Sequence, residues 1–372
     1  MEVRKTFKYR IYPTKSQETL LEQTLEECRW VWNETLALRK NAWDQERRAV
    51  SLYQTNAAIP AWRANRESLG VVYSQVLQQV QVRVDLAFKA FFRRVKAGEN
   101  PGHPRFKGAG RYDSFTYPQL GFGLSGNKVR LSKIGVVKVK LHRPIEGKIK
   151  TCTVCRNNGK WFVFFSCEEV QSCVLPISEK MIGVDLGLIS FATLSNGKKI
   201  ENPRFFRSDQ DVLKKAQTRL SKVSKGTPER SKRRRVVARI HERIANKRGD
   251  FAHKLSHRLV NAYGIIVFED LKIQRMLDNG TNGLNKSISD AAWNQLVRCC
   301  SYKAENAGRK VILVDPRNTS KMCSRCGELV KKELSDRVHL CPHCKLKIDR
   351  DWNAAINILR LGLQSHQRSP RL

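Results

Sequence analysis

Acidic residues are scarce in this chain: 34 Asp and Glu stand against 70 Lys and Arg in 372 residues, a formal charge of +36. A charge this one-sided repels itself in the folded state, and its natural counterpart is a polyanion. Long apolar runs are missing as well. No uncharged apolar stretch of about 18 residues exists, which excludes a membrane-spanning helix. The opening MEVRKTFKYR has no apolar core of a secretory signal. Nucleic acid, not a bilayer, is the expected partner. There is no Walker A sequence and no GxSxG elbow, so neither ATP-driven work nor serine-esterase chemistry is indicated. Internal repeats and low-complexity tracts are absent. Of the 11 cysteines, seven (Cys28, Cys152, Cys155, Cys167, Cys173, Cys299, Cys300) follow no disulfide framework. They read as free thiols in a reducing compartment. Cys152 and Cys155 form a CxxC, but inside a strand-like stretch with no second CxxC after it, and buried thiols are expected there.

The other four cysteines are spaced for a metal. Cys323/Cys326 and Cys341/Cys344 are CxxC pairs separated by fourteen residues, close to zinc-ribbon spacing. Each pair offers two soft thiolates from one tight turn, and four thiolates suit tetrahedral Zn²⁺. A closed Cys₄ site keeps no open coordination position, so this zinc is structural and not the catalyst. His343 is the less suitable alternative ligand. Directly afterwards, DRDWNAAINIL (349–359) reads as a helix, and Asp residues in its first turn suit a helix N-terminus. Asp349 and Asp351 read equally well as caps or as functional carboxylates.

Along the chain, 3–13 alternates basic and apolar residues like a strand. Residues 16–48 and 74–96 carry helical apolar spacing; in the second, Val76, Val80, Val84, Phe88 and Phe91/Phe92 form the stripe. Gln75, Gln78, Gln81, Arg83 and Lys89 occupy its other faces, where glutamine suits either solvent or adenine. Residues 98–126 are Gly/Pro-rich and basic, a connector whose His103, Phe106, Tyr112, Phe115 and Tyr117 suit contact with nucleic acid. Short strands follow over 128–175, with Asn157-Asn158-Gly159 as a hairpin turn. Together with the first strand they are expected to close a small β-barrel. After Lys180 come an apolar strand, a hairpin bending at Ser195-Asn196-Gly197, and a basic helical segment, 208–263. In that segment Arg233, Arg234 and Arg235 belong to RSKRRR, read as a helix face laid against phosphates. Then follow the strand IIVFEDL (265–271), a polar loop (272–289), a helix capped by Ser289 and stopped by Gly308, and a third buried strand, 309–316. This order predicts an α/β unit with a mixed sheet.

Asp185 and Glu269 each end an apolar strand. An ionised carboxylate there is costly unless paired or bound to metal. A salt bridge to a nearby Lys or Arg accounts for one such residue more readily than for both. With Asp351 they make three hard-oxygen ligands on separate elements of one unit, the requirement of a two-Mg²⁺ site for phosphodiester hydrolysis.

The chain resembles the TnpB family of transposon-encoded RNA-guided DNA endonucleases, relatives of type V CRISPR effectors. The resemblance spans Phe7 to Leu361. It rests on FKYRIYP, Gln17, RWVWN (29–33), HPRFK (103–107), SFTY (114–117), GVDLGL, ARIHERIANKRGDFAHKLS, FEDL, SISDAAW, TSKMCSRCG and DRDWNAAINIL. It implies an N-terminal wedge β-barrel (1–14 and 111–178) split by a recognition helical domain (15–110). It further implies a RuvC-like nuclease of the RNase H fold (179–318, with the basic insertion 208–263, and 349–372), interrupted by the zinc ribbon (319–348). The family's catalytic, Mg²⁺-binding Asp, Glu and Asp then fall on Asp185, Glu269 and Asp351. The last is chosen over Asp349 by the family's Asp-x-Asn-Ala-Ala pattern. Positions that read the adjacent DNA motif fall on Tyr53, Ser74, Gln75, Gln78 and Thr116. The implied partners are a guide RNA from the transposon end, duplex DNA beside a short adjacent motif, and functionally the element's transposase. The implied setting is the cytoplasm of a prokaryote, on the nucleoid when DNA is bound. A nuclease-inactive RNA-guided repressor and a DNA transposase are the competing readings.

Overall fold

The computed structural model describes residues 2–278, 281–333 and 336–368. The last four residues of the expected final segment 349–372 lie outside the described residues. The chain forms two compact units, Met1–Gln171 and Ser172–Leu372.

The first unit opens with β1 (Glu2–Tyr12) and α1 (Lys15–Glu46). Thr14 accepts from the Gln17 amide while Gln17 reaches back to the Thr14 amide, a capping box that fixes where α1 begins. Short helices α2 (Leu52–Ala57) and α3 (Ile59–Asn65) lead to α4 (Ser74–Lys96). Six strands follow: β2 (Ser114–Tyr117), β3 (Phe122–Ser125), β4 (Lys128–Leu131), β5 (Gly135–Lys140), β6 (Lys148–Asn157) and β7 (Lys160–Gln171). The Asn-Gly turn joins β6 to β7 with Asn158 at φ 49° and Gly159 at φ 69°, both left-handed as a two-residue hairpin requires.

Two expectations are corrected here. The connector 98–126 contains two of the strands, β2 and β3. Its Tyr112, Phe115 and Tyr117 are buried in the core, because alternation in SFTY sends Phe115 and Tyr117 to the inner face. Second, the antiparallel sheet runs β2-β6-β7-β1-β5-β4-β3. Among the described residues no β2–β3 pairing closes it, so the barrel is a curled open sheet. Phe122 on the β3 edge nevertheless lies 6.5 Å, ring to ring, from Phe165 on β7.

The second unit contains β8 (Met181–Leu186), β9 (Ser190–Leu194), β10 (Lys199–Glu201), α5 (Phe205–Ser221), α6 (Pro228–Ala262) and β11 (Ile265–Glu269). It continues with α7 (Ile273–Asp278), α8 (Asn282–Ala291), α9 (Trp293–Asn306), β12 (Lys310–Val314), β13 (Val338–Leu340), β14 (Lys347–Asp349) and α10 (Arg350–Arg368). The five-stranded sheet has the order β10-β9-β8-β11-β12. Strands β8, β11 and β12 are parallel, and β9 and β10 antiparallel. The mixed sheet expected from the element order is therefore present.

The basic segment is two helices, packed through Leu213, Ala216, Ile240 and Ile244. They are separated where Gly226 takes φ 88° and Thr227 caps α6 ahead of Pro228. The expected polar loop 272–289 holds α7 and most of α8. Ser289 lies inside α8 and caps nothing; the helix assigned to 289–308 breaks at Ala292, which takes φ 53°. The break lets Ile288, Ala291 and Trp293 all enter one core. Strand β12 is an edge and only partly buried: Leu313 is exposed, Val311 and Ile312 are half-buried and Val314 alone of the five is buried, in place of the expected full burial.

Helix α10 lies directly on the sheet. A Cβ on Gly183 would fall 2.2 Å from the Ala355 carbonyl oxygen and 2.7 Å from the Leu359 nitrogen, both backbone atoms that cannot swing aside. Gly183→Ala is therefore expected to push α10 off β8. It should lower stability by about 2–3 kcal/mol and the thermal midpoint by roughly 5–10 °C, measured by circular-dichroism melting.

Candidate active site and metal centre

Parallel pairing puts the carboxyl ends of β8 and β11 on one edge of the sheet. Phe268 is in register with Val184, so Glu269 continues alongside Asp185, and neighbours in a parallel ladder face the same side. Asp351 enters from the first turn of α10. Asp185 thus feels both Glu269 and Asp351. Burial first, and then these two carboxylates, hold the Asp185 carboxyl well above its ordinary range. Burial also raises Glu269, although a 2.6 Å hydrogen bond from the Thr319 hydroxyl opposes that shift. Asp185 is thus crowded by carboxylate charge, a setting that suits a hard divalent cation, although the oxygens of the three do not all lie within 4.8 Å of one another.

The geometry also separates Asp349 from Asp351. Asp349 Oδ1 accepts from the amides of Asp351 and Trp352, each at 3.1 Å, and Oδ2 pairs with Lys199 at 2.8 Å. It is the N-cap of α10. Burial pushes Asp349 up, but Lys199 and the Trp352 amide outweigh it and leave the carboxyl below its ordinary value. Asp351 makes no such cap; among the described residues its side chain is held from the side by Arg350 at 3.0 Å. Asp349→Ala should cost about 1 kcal/mol of stability, the usual loss of an N-cap, while DNA cleavage persists. Asp351→Ala should abolish cleavage with little change in thermal midpoint. Melting and cleavage assays run on both variants check the contrast.

The four cysteine sulfurs all lie within 4.8 Å of one another, the only such group of three or more candidate ligands among the described residues. Cys323 and Cys344 Sγ are 3.5 Å apart, and Cys326 and Cys341 Sγ 3.6 Å. A tetrahedron of thiolates around Zn²⁺ has edges of about 3.8 Å, so the set fits zinc. Both knuckles use one turn: Gly327 donates to the Cys323 carbonyl and Lys345 to the Cys341 carbonyl, with Gly327 at φ 85° and Lys345 at φ 58°. Amides of Cys344 and then His343 draw the Cys341 thiol down to about 6, which favours the thiolate a metal needs. His343 is exposed and outside the group, so the four cysteines are the set that would hold a metal. Cys152 and Cys155 sit three apart on β6 and face opposite sides, so they cannot share a metal.

Polar residues that the sequence does not flag tie the two centres together. Asn353 Nδ2 donates to the Met322 carbonyl at 2.8 Å, and its Oδ1 accepts from the Ser324 amide at 2.9 Å. One turn later, Asn357 donates to the carbonyls of Thr319 and Met322 at 2.9 and 2.7 Å. Both asparagines are fully buried. Their spacing of four residues, a single helix face, is the available signal.

The residues expected to meet nucleic acid are scattered in role. Tyr53 is 84 % exposed on α2, Gln78 is exposed, and Ser74 and Gln75 are half-buried at the start of α4. Thr116 is engaged internally, accepting from Arg83 at 2.8 Å and sharing a 2.8 Å bond with Thr153. Gln81 is fully buried between Thr35 and Thr55 and does not reach solvent. Arg234 and Arg235 are exposed on α6, whereas Arg233 pairs with Glu229 at 2.8 Å. A cleft of about 680 Å³ between α1 and α4 is lined by Lys40, Trp43, Phe88, Phe91, Phe92 and His103, among others. Of the connector aromatics, His103 and Phe106 are the two left at the surface.

No helix among the described residues is long and apolar enough to cross a membrane. Residues 164–280 match a family described as "Probable transposase", and residues 293–358 match "Cas12f1-like, TNB domain". Residues 1–48 match "Helix-turn-helix domain", although the structure has one strand and one unbroken helix there. A Streptomyces pristinaespiralis protein named "Putative RNA-guided DNA endonuclease" is 38 % identical over 97 % of this chain and 90 % of its own length. The Escherichia coli K12 protein of that name, InsQ, is 31 % identical over 96 % of this chain and 92 % of its own. A solved structure titled "Cryo-EM structure of the Cas12f1-sgRNA-target DNA complex" covers 96 % of this chain and 98 % of its own, with a TM-score of 0.61 at 12 % identity.

Proposed function

Because the chain belongs to the TnpB family, we propose that it is a transposon-encoded RNA-guided DNA endonuclease with a RuvC-like active site. The observation that supports this reading is that Asp185, beside Glu269 at the carboxyl ends of two parallel strands, feels both Glu269 and Asp351 of α10. Two Mg²⁺ ions, when bound, would generate the attacking hydroxide and stabilise the leaving oxygen of a phosphodiester. Asp185, whose carboxyl feels both Glu269 and Asp351, would be one of the ligands that hold these ions. Glu269, with one oxygen on Thr319, keeps the other for metal. Asp351 approaches from α10, so the spacing of the ligands depends on how that helix seats on the sheet.

The excess of Lys and Arg supplies the phosphate-binding term for RNA and DNA. A guide RNA from the transposon end would read target sequence by pairing, and the protein would read a short adjacent motif and duplex shape. In this reading the first unit is the wedge sheet with its recognition helices, where Tyr53 and Gln78 stand exposed and Ser74 and Gln75 half-buried. Thr116, engaged by Arg83, takes part only if that bond opens. The element's transposase is the functional partner. The family description "Probable transposase" favours one other reading, strand transfer at a transposon end, which needs no guide RNA. A repressor without nuclease activity is disfavoured by the complete carboxylate set.

Co-expression with RNA from the transposon end, followed by Mg²⁺-dependent cleavage of a matched target flanked by randomised DNA, tests the proposal. Cleavage confined to one flanking motif is expected. Joining of transposon ends without RNA would support the transposase instead.

A further inference from the structure

Thr319 belongs neither to the carboxylates nor to the cysteines, yet it is 2 % exposed and touches both neighbourhoods. Its hydroxyl lies 2.6 Å from Glu269 Oε1 and 3.1 Å from the Pro316 carbonyl. A hydroxyl has one proton to give. The shorter contact is to the carboxylate oxygen, so Glu269 receives it. The Thr319 carbonyl, meanwhile, accepts from Asn357 on α10 at 2.9 Å. That asparagine and Asn353 together hold Met322 and Ser324, the residues on either side of the zinc ligand Cys323. One short segment, 319–324, thus grips Glu269 with a side chain and the Asp351 helix with its backbone.

We propose that Thr319 is a positioning residue of the nuclease site: its hydroxyl fixes the Glu269 carboxylate while its carbonyl, through Asn357, fixes the helix carrying Asp351. The inference rests on the reading of Asp185, Glu269 and Asp351 as metal ligands. A glutamate at the end of a strand has three side-chain torsions, and a bond to one oxygen removes most of that freedom while leaving the second oxygen for a cation. Valine at this position keeps the shape and removes the donor. Serine keeps the donor and removes a methyl group. The two variants therefore separate the hydrogen bond from packing.

Thr319→Val and Thr319→Ser are to be purified with guide RNA beside the wild type. Three quantities are then measured: guide-RNA affinity, the single-turnover cleavage rate across a Mg²⁺ titration, and Mg²⁺ affinity by calorimetry without DNA. Thr319→Val should bind guide RNA normally, cleave roughly 10–100-fold more slowly and bind Mg²⁺ more weakly, the usual cost of losing a group that orients a metal ligand. Thr319→Ser should stay close to wild type in all three. Wild-type Mg²⁺ affinity and cleavage in Thr319→Val would overturn the inference, as would equal impairment of both variants. If the wild type itself fails to cut guided DNA, the nuclease reading fails. The calorimetric comparison still decides Thr319 in that case, because unchanged Mg²⁺ affinity in Thr319→Val refutes its positioning role.

Discussion

Replacing Asp185 with asparagine is expected to abolish DNA cleavage and, at the same time, to raise the thermal midpoint of the metal-free protein. The first effect follows from removing one of the three carboxylates proposed to hold the metal, a unit whose members act together, for which a loss of at least about 10³-fold is the appropriate scale. The second follows from electrostatics. Burial and the neighbouring Glu269 and Asp351 hold the folded Asp185 well above its ordinary range. An unfolded aspartate ionises near pH ~3.9. Between that pH and the raised folded value, the native state binds more protons than the unfolded one, so stability falls as pH rises through this window. Above the raised folded value the metal-free protein carries the full penalty, and asparagine relieves it. Each kcal/mol recovered should appear as about 2–4 °C in the melt. Added Mg²⁺ should stabilise the wild type by neutralising the same repulsion and leave Asp185→Asn nearly unmoved. Guided DNA binding should survive in the variant. An Asp185→Asn protein that cuts at the wild-type rate would remove this residue from the site.

Loss of zinc is expected to be the other large effect, and it should reach beyond the ribbon. The two-stranded β13–β14 sheet has almost no apolar core of its own: Cys323, Cys341 and His339 are its buried residues of note. Small units of this kind depend on the metal for folding, and structural zinc supplies on the order of 10 kcal/mol. If the knuckle at Cys323 unravels, Asn353 and Asn357 lose the backbone partners at Thr319, Met322 and Ser324. Each buried amide left unsatisfied costs about 1–3 kcal/mol, and α10 loosens on β8. Cys341→Ser, or stripping with a strong chelator, should therefore lower the thermal midpoint by more than about 10 °C and suppress cleavage. Readdition of zinc should restore both in the stripped wild type. Metal analysis should find one zinc per chain in the wild type, and a zinc-free protein that melts and cuts normally would refute the coupling.

Much of this was legible in the sequence for identifiable reasons. Repeated CxxC spacing marks the ribbon because thiolate geometry tolerates few alternatives. Apolar strands ending in Asp185 and Glu269 stand out because buried charge is rare, and Asn158-Gly159 because few residues accept two successive left-handed conformations. The unread features share a different cause. Ala292 in a left-handed turn carries no glycine to announce it, and it stands between residues that share one core, Ala291 and Trp293. Strands β2 and β3 are four residues each, too short for alternation to emerge from a glycine-rich background. Gln81, Asn353, Asn357 and Thr319 are polar residues whose burial depends on partners distant in the chain, and no local pattern encodes such partners. Asp349 and Asp351 read alike by residue type and position; the family pattern favours Asp351, and the two amides bonded to Asp349 give the physical reason that Asp349 is the cap.

The most direct measurement is a guide exchange. Two plasmids carrying different targets beside the same adjacent motif are mixed with protein assembled on one guide RNA, then on the other, with Mg²⁺ present. The account predicts that the cut plasmid changes with the guide, and that Asp185→Asn cuts neither while still binding the matched one. Cleavage that ignores the guide, or that continues in Asp185→Asn, would contradict it.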